Sequence, residues 1–278
     1  MTTVSVDSSR ARAGTGGSAL ADTLVVTWRN LKRIPRIPEL AAFAILQSVM
    51  FVLLFAYVFG GAIPLGQSGG SYREFLMPGI FAQTLTFASA TTTVGVTDDM
   101  QKGLVDRFRS LPMARSAFLT GRTFADVVYN AGILVVLMLS GLAVGWRVHG
   151  GLGNFLGAIG LALLFTYAMS WMGVFLGQLV PTVEVAQQVA FTTIFPITFL
   201  SNVFVPLQTL PGWLQPVAEW NPVSTLTASM RHLFGNPNPP NGTAFPAEHP
   251  VLLTLIWTVV IVAIFAPLAV RRYRDTSR

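Results

Sequence analysis

Apolar residues in this chain fall in long, nearly unbroken blocks rather than in the short alternations of half-buried strands or the narrow stripes of surface helices. Six blocks stand out, at 40–59, 75–96, 127–146, 156–180, 185–205 and 251–270. A helix of about 20 residues covers the roughly 30 Å hydrocarbon core of a bilayer. Each block is therefore predicted to be one crossing, and the chain an all-α integral membrane protein with six transmembrane helices. The second block is not uniform. It carries Gln83, Thr84, Thr86, Ser89, Thr91, Thr92 and Thr93, too many polar groups for a helix bathed only in lipid, so they either bond to helices or line a pathway. Glycines spaced at small-xxx-small intervals, Gly141/Gly145, Gly153/Gly157 and Gly173/Gly177, predict close helix packing.

The segments between the blocks have patterns of their own. Over 98–112, Met100, Leu104, Phe108 and Leu111 recur at helical spacing, with Asp98 and Asp99 at the start, Arg107 and Arg109 in the last turn and Pro112 at the end. This predicts a short amphipathic helix, lying either on lipid head groups or against a soluble partner. Ahead of the first block, residues 20–36 place Leu20, Leu24, Trp28 and Leu31 on one helical face and Arg29, Arg33 and Arg36 on another, as expected of a helix in the interface plane. Residues 1–19 are small and polar and predict a disordered tail without the apolar core of a secretion signal. From 207 to 248, pieces around Trp213 and Trp220 are too short and too broken by proline to span; they predict re-entrant helices packed on protein at the outer side.

Charge then orients the chain. Only 11% of the 278 residues are charged and the mean hydropathy is +0.59, where a soluble domain would be about a quarter charged. All but three of the 18 Lys and Arg, namely Arg73, Arg147 and Arg231, lie before the first block, in 98–122, or in the basic tail 271–278. Positive residues stay on the cytoplasmic side, so the termini and the 98–112 segment are predicted inside. The net charge of +6 flanks apolar spans rather than forming one continuous patch, which argues against nucleic acid.

Candidate chemistry is sparse. Asp126, beside the third block, lies four residues from Arg122 and reads as its ion-pair partner rather than as a proton relay. His149, His232 and His249 are scattered and the chain has no cysteine, so no metal site is expected. Asn241-Gly-Thr243 fits a glycosylation acceptor in a loop. There is no Walker-type Gly-x-x-x-x-Gly-Lys-Ser/Thr loop and no HExxH or GxSxG signature.

Two separated stretches carry a resemblance. The run from Asp99 through Gln101, Lys102, Gly103, Arg107, Phe108 and Arg109 to Pro112, followed by Ala114-Arg115, resembles the loop between the second and third spans of ABC-2-type transporter permeases, in particular membrane subunits of daunorubicin-resistance exporters. Pro206, Leu210-Pro211-Gly212-Trp213-Leu214, Asn221-Pro222 and Arg231 resemble the same family ahead of its last span. Where members often carry Glu, this chain has Gln101.

The resemblance implies the ABC-2 exporter fold over 37–270, with an interface helix before it. It implies that 98–112 is a coupling helix contacting a separately encoded ATPase, the holder of ATP and Mg, through Asp98, Asp99, Gln101, Lys102, Gly103, Arg107, Arg109 and Pro112, with Phe108 as an apolar plug. Glu184, in a small inner turn, is a second candidate contact. Gln83, Thr84, Thr92 and Phe195 are candidates for the substrate pathway. Two copies of the chain with two ATPase subunits would export lipophilic drugs, antibiotics or lipids across a bacterial cell membrane. The competing readings are a non-transporting scaffold or sensor subunit and a proton-coupled secondary carrier, which would need titratable groups in mid-membrane.

Overall fold

The computed structural model describes residues 19–32, 38–58, 71–103, 115–239 and 245–275. Outside them lie most of the predicted tail, most of the loop after the first span, residues 104–114 with the 104–112 part of the predicted coupling helix and its Arg107, Phe108, Arg109 and Pro112, the acceptor sequence at 241–243, and the last three residues. Everything described is helical or irregular. The long helices are α1 (Ala19–Leu31), α2 (Pro38–Val58), α3 (Tyr72–Gln101), α4 (Arg115–Val144), α5 (Leu152–Gly177) and α6 (Val183–Phe199). A 3-10 turn at Leu207–Thr209 and the short α7 (Gln215–Glu219) lead to α8 (Pro222–Phe234), α9 (Phe245–Glu248) and α10 (Pro250–Asp275).

Among the described residues, three helices are long and apolar enough to cross a bilayer: Leu119–Val144 within α4, Leu152–Gly177, and Pro250–Arg274 within α10. Their outer faces stay apolar, with Leu139, Leu156 and Val259 all more than half exposed. α3 is the least apolar of the long helices and yet the most enclosed, touching α2, α4, α5, α6 and α8. Its hydroxyls explain the arrangement. Thr86 donates to the Ala82 carbonyl at 2.7 Å, Ser89 to Thr86 at 2.7 Å and Thr93 to Ser89 at 2.9 Å, all buried. Bonded back to their own helix, these side chains present little unsatisfied polarity to neighbours, and a helix that would be costly against lipid becomes the centre of the bundle.

Of the three glycine pairs, only Gly173/Gly177 packs as its spacing predicts. A Cβ at Gly173 would stand 2.4 Å from the Ser89 carbonyl oxygen, and one at Gly177 would stand 2.6 Å from that of Thr93, so α5 lies backbone-to-backbone on α3. Gly153 and Gly157 meet nothing within 4 Å, and Gly145 ends α4 at φ +105°. Spacing alone does not distinguish a packed glycine from a capping one or from one facing outward.

The predicted outer hairpins are broken helices folded onto the bundle. α8 packs on α3, α5 and α10. It starts at the N-cap Asn221, whose side chain accepts from the Val223 amide at 2.8 Å and donates to the carbonyls of Ile197 at 2.6 Å and Leu200 at 2.9 Å. Those two carbonyls lie at the C-terminal end of α6, where backbone acceptors have no helical partner. One residue therefore caps two helices. α6 ends at Phe199, short of the 205 predicted from hydropathy, where the Asn221 amide takes up the carbonyls of Ile197 and Leu200. At the other end of α8, Trp146 stacks edge-on against Phe81 and Phe234, both at 5.2 Å, and donates to Asn236 at 2.8 Å.

Two boundaries need correction. The basic segment from 271 is not a separate tail, since α10 continues helical through Asp275. Asp98 and Asp99 do not open a new helix; they lie in the last turn of α3, which ends when Gly103 turns the chain at φ +63°. The apolar periodicity at Met100 thus continues α3. Carboxylates at a helix C-terminus oppose its dipole, and here each has a cation: Lys102 reaches Asp98 at 2.7 Å and Arg122 pairs with Asp99.

Candidate functional site

The end of α3, the α5–α6 turn, the basic end of α10, and α1 with the start of α4 meet at one end of the bundle. The end of α3 touches the α5–α6 turn twice: Thr97 donates to the Gly177 carbonyl at 2.9 Å and the Gln101 amide to Pro181 at 3.1 Å. The start of α10's basic segment joins them through Arg272, which donates to the Gln178 carbonyl at 3.0 Å. α1 packs on α4 where Gly121 admits Val26, and Thr27 donates to the Gly121 carbonyl at 3.1 Å. Both ends of the described chain and the 98–103 segment therefore lie at the same end.

The sequence candidates separate clearly there. Gln101, Lys102 and Gly103 are exposed, and Asp98 is half-buried beside Lys102. Asp99 is 1% exposed, held by Arg122. Glu184 is exposed in the first turn of α6, where its own backbone amide and the Thr182 hydroxyl hold its carboxyl below the usual range. Gln101 is thus in direct contact with the turn that carries Glu184.

Further along α3 lies a cavity of about 220 Å³ between α2, α3 and α4. Phe51, Phe87, Tyr129 and Ile133 supply apolar wall; Gln47, Gln83, Thr84, Thr91 and Asn130 supply amides and hydroxyls, and among the described residues no charged group lines it. Of the predicted pathway residues, Gln83 and Thr84 line it. Thr92 does not, because its hydroxyl turns to the Asp126 carboxylate at 2.8 Å. Phe195 also stands elsewhere, stacked between Phe191 at 5.1 Å and Phe199 at 4.0 Å on an exposed face of α6. Asn130 escaped the sequence reading, although an amide in an apolar span four residues after Asp126 was a usable signal.

Two cations, the partly buried Arg122 and the fully buried Arg231, were also underestimated. Arg122 was assigned only its i, i+4 partner Asp126, at 3.7 Å from Nε to Oδ1, yet it also pairs with Asp99 across the helix interface. Arg231, expected on the outer side, is 1% exposed, stacked 3.6 Å over Phe75 and donating to the carbonyls of Phe75, Asn202 and Val203 at 2.8, 3.0 and 3.2 Å. It holds α8 to the start of α3 and to the segment following α6.

Comparison with known proteins adds what geometry does not. The profile of the ABC-2 type transporter family matches residues 21–234. The chain belongs to that family. It is similar to the daunorubicin resistance ABC transporter permease protein DrrB1 of Streptomyces coeruleorubidus, 32% identical over 94% of this chain and 88% of the relative. It is 27% identical to the probable doxorubicin resistance ABC transporter permease protein DrrC of Mycobacterium tuberculosis, over 93% and 90%. A putative transport permease, ycf38, of Cyanophora paradoxa is 24% identical over 78% and 75%. The protein is a multi-pass membrane permease subunit of an ABC-2 exporter. Such subunits have no ATPase activity; nucleotide is bound by a partner ABC ATPase.

Proposed function

We propose that this permease exports lipophilic, ring-containing compounds of the kind named for its relatives, driven by ATPase subunits that dock on the predicted coupling segment 98–112 and on Glu184, at the end of the bundle where 98–103 lies. Two copies of the chain and two ATPases make the working exporter, each copy crosses six times, and both termini face the cytoplasm of a bacterial cell. Closure of the ATPases on nucleotide pushes this end, and the bundles rock to expose the cargo to the outside.

The observation that carries the reading is the hydrogen bond from Gln101 to the α5–α6 turn. It makes the two predicted docking segments one surface, so a load on either reaches both α3 and α5. The cavity supports the cargo class: aromatic walls with uncharged amides and hydroxyls suit a flat, neutral, polar-edged ligand. At about 220 Å³ it is smaller than the roughly 300–1,000 Å³ of drug-sized sites, consistent with completion by a second copy. The engagement of Asp126 by Thr92 and Arg122 supports a structural ion pair over the proton relay a secondary carrier needs.

The test co-expresses the permease with its ATPase and follows daunorubicin extrusion from cells together with copurification of the ATPase. Phe108→Ala or Arg107→Ala should lower both; normal values for both would remove the docking surface from the mechanism. Gln83→Leu should lower extrusion while leaving copurification intact.

A further inference from the structure

The charged groups packed between α3 and α4 lie between the docking end and the cavity, with Asp99 in the last turn of α3 and Asp126 one turn from the cavity-lining Asn130. Asp99, in the last turn of α3, pairs with Arg122, which follows the 104–114 segment in sequence. One guanidinium therefore joins the helix that enters this loop to the helix that leaves it. Its own helix provides a second carboxylate, Asp126, 3.7 Å from Arg122 Nε, and Asp126 accepts from Thr92 of α3 at 2.8 Å. The cross-links alternate along the helix pair.

From Asp126 the network continues into the cavity wall. Asn130 donates to the Asp126 carbonyl at 2.7 Å and lines the cavity. On the α3 side, Thr91 donates to the Ala88 carbonyl at 2.7 Å; Ala88 and Thr91 line the cavity while the Thr92 hydroxyl donates to Asp126. One turn of α3 thus presents Thr91 to the cavity and Thr92 to the ion pairs, while on α4 the cavity-lining Asn130 stands one turn beyond Asp126. Gly95 makes room for this. A Cβ there would stand 1.9 Å from Arg122 Nη2, and Arg122 donates to the Gly95 carbonyl at 3.4 Å.

We infer that Arg122 is the positioning residue that couples this permease: with Asp99 and Asp126 it clamps α3 and α4 into one rigid arm, so that a push on the docking end displaces the cavity wall at Ala88, Thr91 and Asn130. The inference rests on the exporter reading above for its direction of work, while the clamp is a property of the chain alone. Charge pairs suit this role. Shielded from water, they resist separation more strongly than the apolar contacts around them, and breaking one leaves an uncompensated buried charge. Without the clamp, the end of α3 yields under load while the cavity stays where it was.

The chain has no cysteine, so nitroxides can be placed at will. Lys102→Cys and Val128→Cys put one label on the exposed end of α3 and one on the exposed flank of α4. Their separation within one copy, with labelled chain diluted in an excess of unlabelled chain, is measured by pulsed electron resonance in the complex with its ATPase, before and after trapping with ATP and vanadate. The parent pair is expected to show one narrow distance in both states. Asp99→Asn, Arg122→Gln and Gly95→Ala, the last displacing the guanidinium without removing charge, should each broaden it at least twofold. In unlabelled complexes reconstituted in vesicles, Arg122→Gln and Gly95→Ala, neither of them in the docking segment, should raise ATP hydrolysed per daunorubicin exported by about tenfold or more, while the ATPase still copurifies. A loss of stability alone would lower hydrolysis and export together. Narrow distances in all three variants, or a parental ratio of hydrolysis to export, would overturn the inference. A parent complex that hydrolyses ATP and exports no daunorubicin would overturn the cargo reading and leave the distances to decide the clamp.

Discussion

Arg231 offers the sharpest test of how this fold is held together. Replacing it with Met keeps most of the volume and removes the charge. Three donor contacts are lost, to the carbonyls of Phe75, Asn202 and Val203, together with a 3.6 Å stack on Phe75. Hydrogen bonds involving a charged partner contribute about 1.5–3 kcal/mol each, and a desolvated cation–π contact about 2 kcal/mol. Against these stands the cost of keeping a guanidinium away from water, several kcal/mol, which Met does not incur. The balance is a loss of about 3 kcal/mol. For a chain of this size each kcal/mol moves the melting temperature by about 2–4 °C, so Arg231→Met should melt about 6–12 °C lower. The assay is thermal unfolding of the purified permease in detergent, followed by intrinsic tryptophan fluorescence. Arg231→Lys should fall between the two, because an ammonium lacks the planar fork that reaches several carbonyls at once. Arg147, exposed and bonded to the Leu142 and Trp146 carbonyls, is the control: Arg147→Met should cost less than about 1 kcal/mol. A shift under 2 °C for Arg231→Met, or equal shifts at both sites, would refute the account of α8 as a helix pinned by one buried cation.

Other outcomes follow from the same packing. Gly177→Ala drives a methyl against the Thr93 carbonyl and should destabilise by about 1–3 kcal/mol through overpacking, whereas Gly157→Ala, with open space around it, should change the same detergent melt by less than about 0.5 kcal/mol. Asn221→Ala uncaps α8 and releases two carbonyls at the end of α6; a loss of about 1–3 kcal/mol is expected, with faster hydrogen exchange at 197–203 and 222–225. The carboxyl of Glu184 is held below its ordinary value by its backbone amide and Thr182, so its stabilising contribution is present at neutral pH and lost as pH falls through that depressed value. Thr182→Ala should move the Glu184 titration, followed by carbon NMR of labelled glutamate, back up toward the usual range.

What could be read from the chain by itself was set by the solvent. Lipid demands long apolar helices with charge at their ends, and both requirements are one-dimensional; hence the blocks at 127–146, 156–180 and 251–270 became spanning helices, and the basic residues Lys102 and Arg272 came to the same end of the bundle. The family signature was local too, because docking loops and proline-broken hairpins are contiguous stretches. Tertiary structure decided where each polar group found its partner. Hydropathy could place Asp99 near a helix end but could not choose between opening a new helix and closing α3, a choice made by Gly103 and by an arginine 23 residues away. It could count the hydroxyls of α3 without showing that Thr92 faces Asp126 while Thr91 faces a cavity. Arg231, whose Nε bonds a carbonyl 156 residues distant, looked like a surface charge until the helices closed around it. In a medium that offers no hydrogen bonds, every polar side chain must be satisfied by protein, and which protein group does so depends on packing.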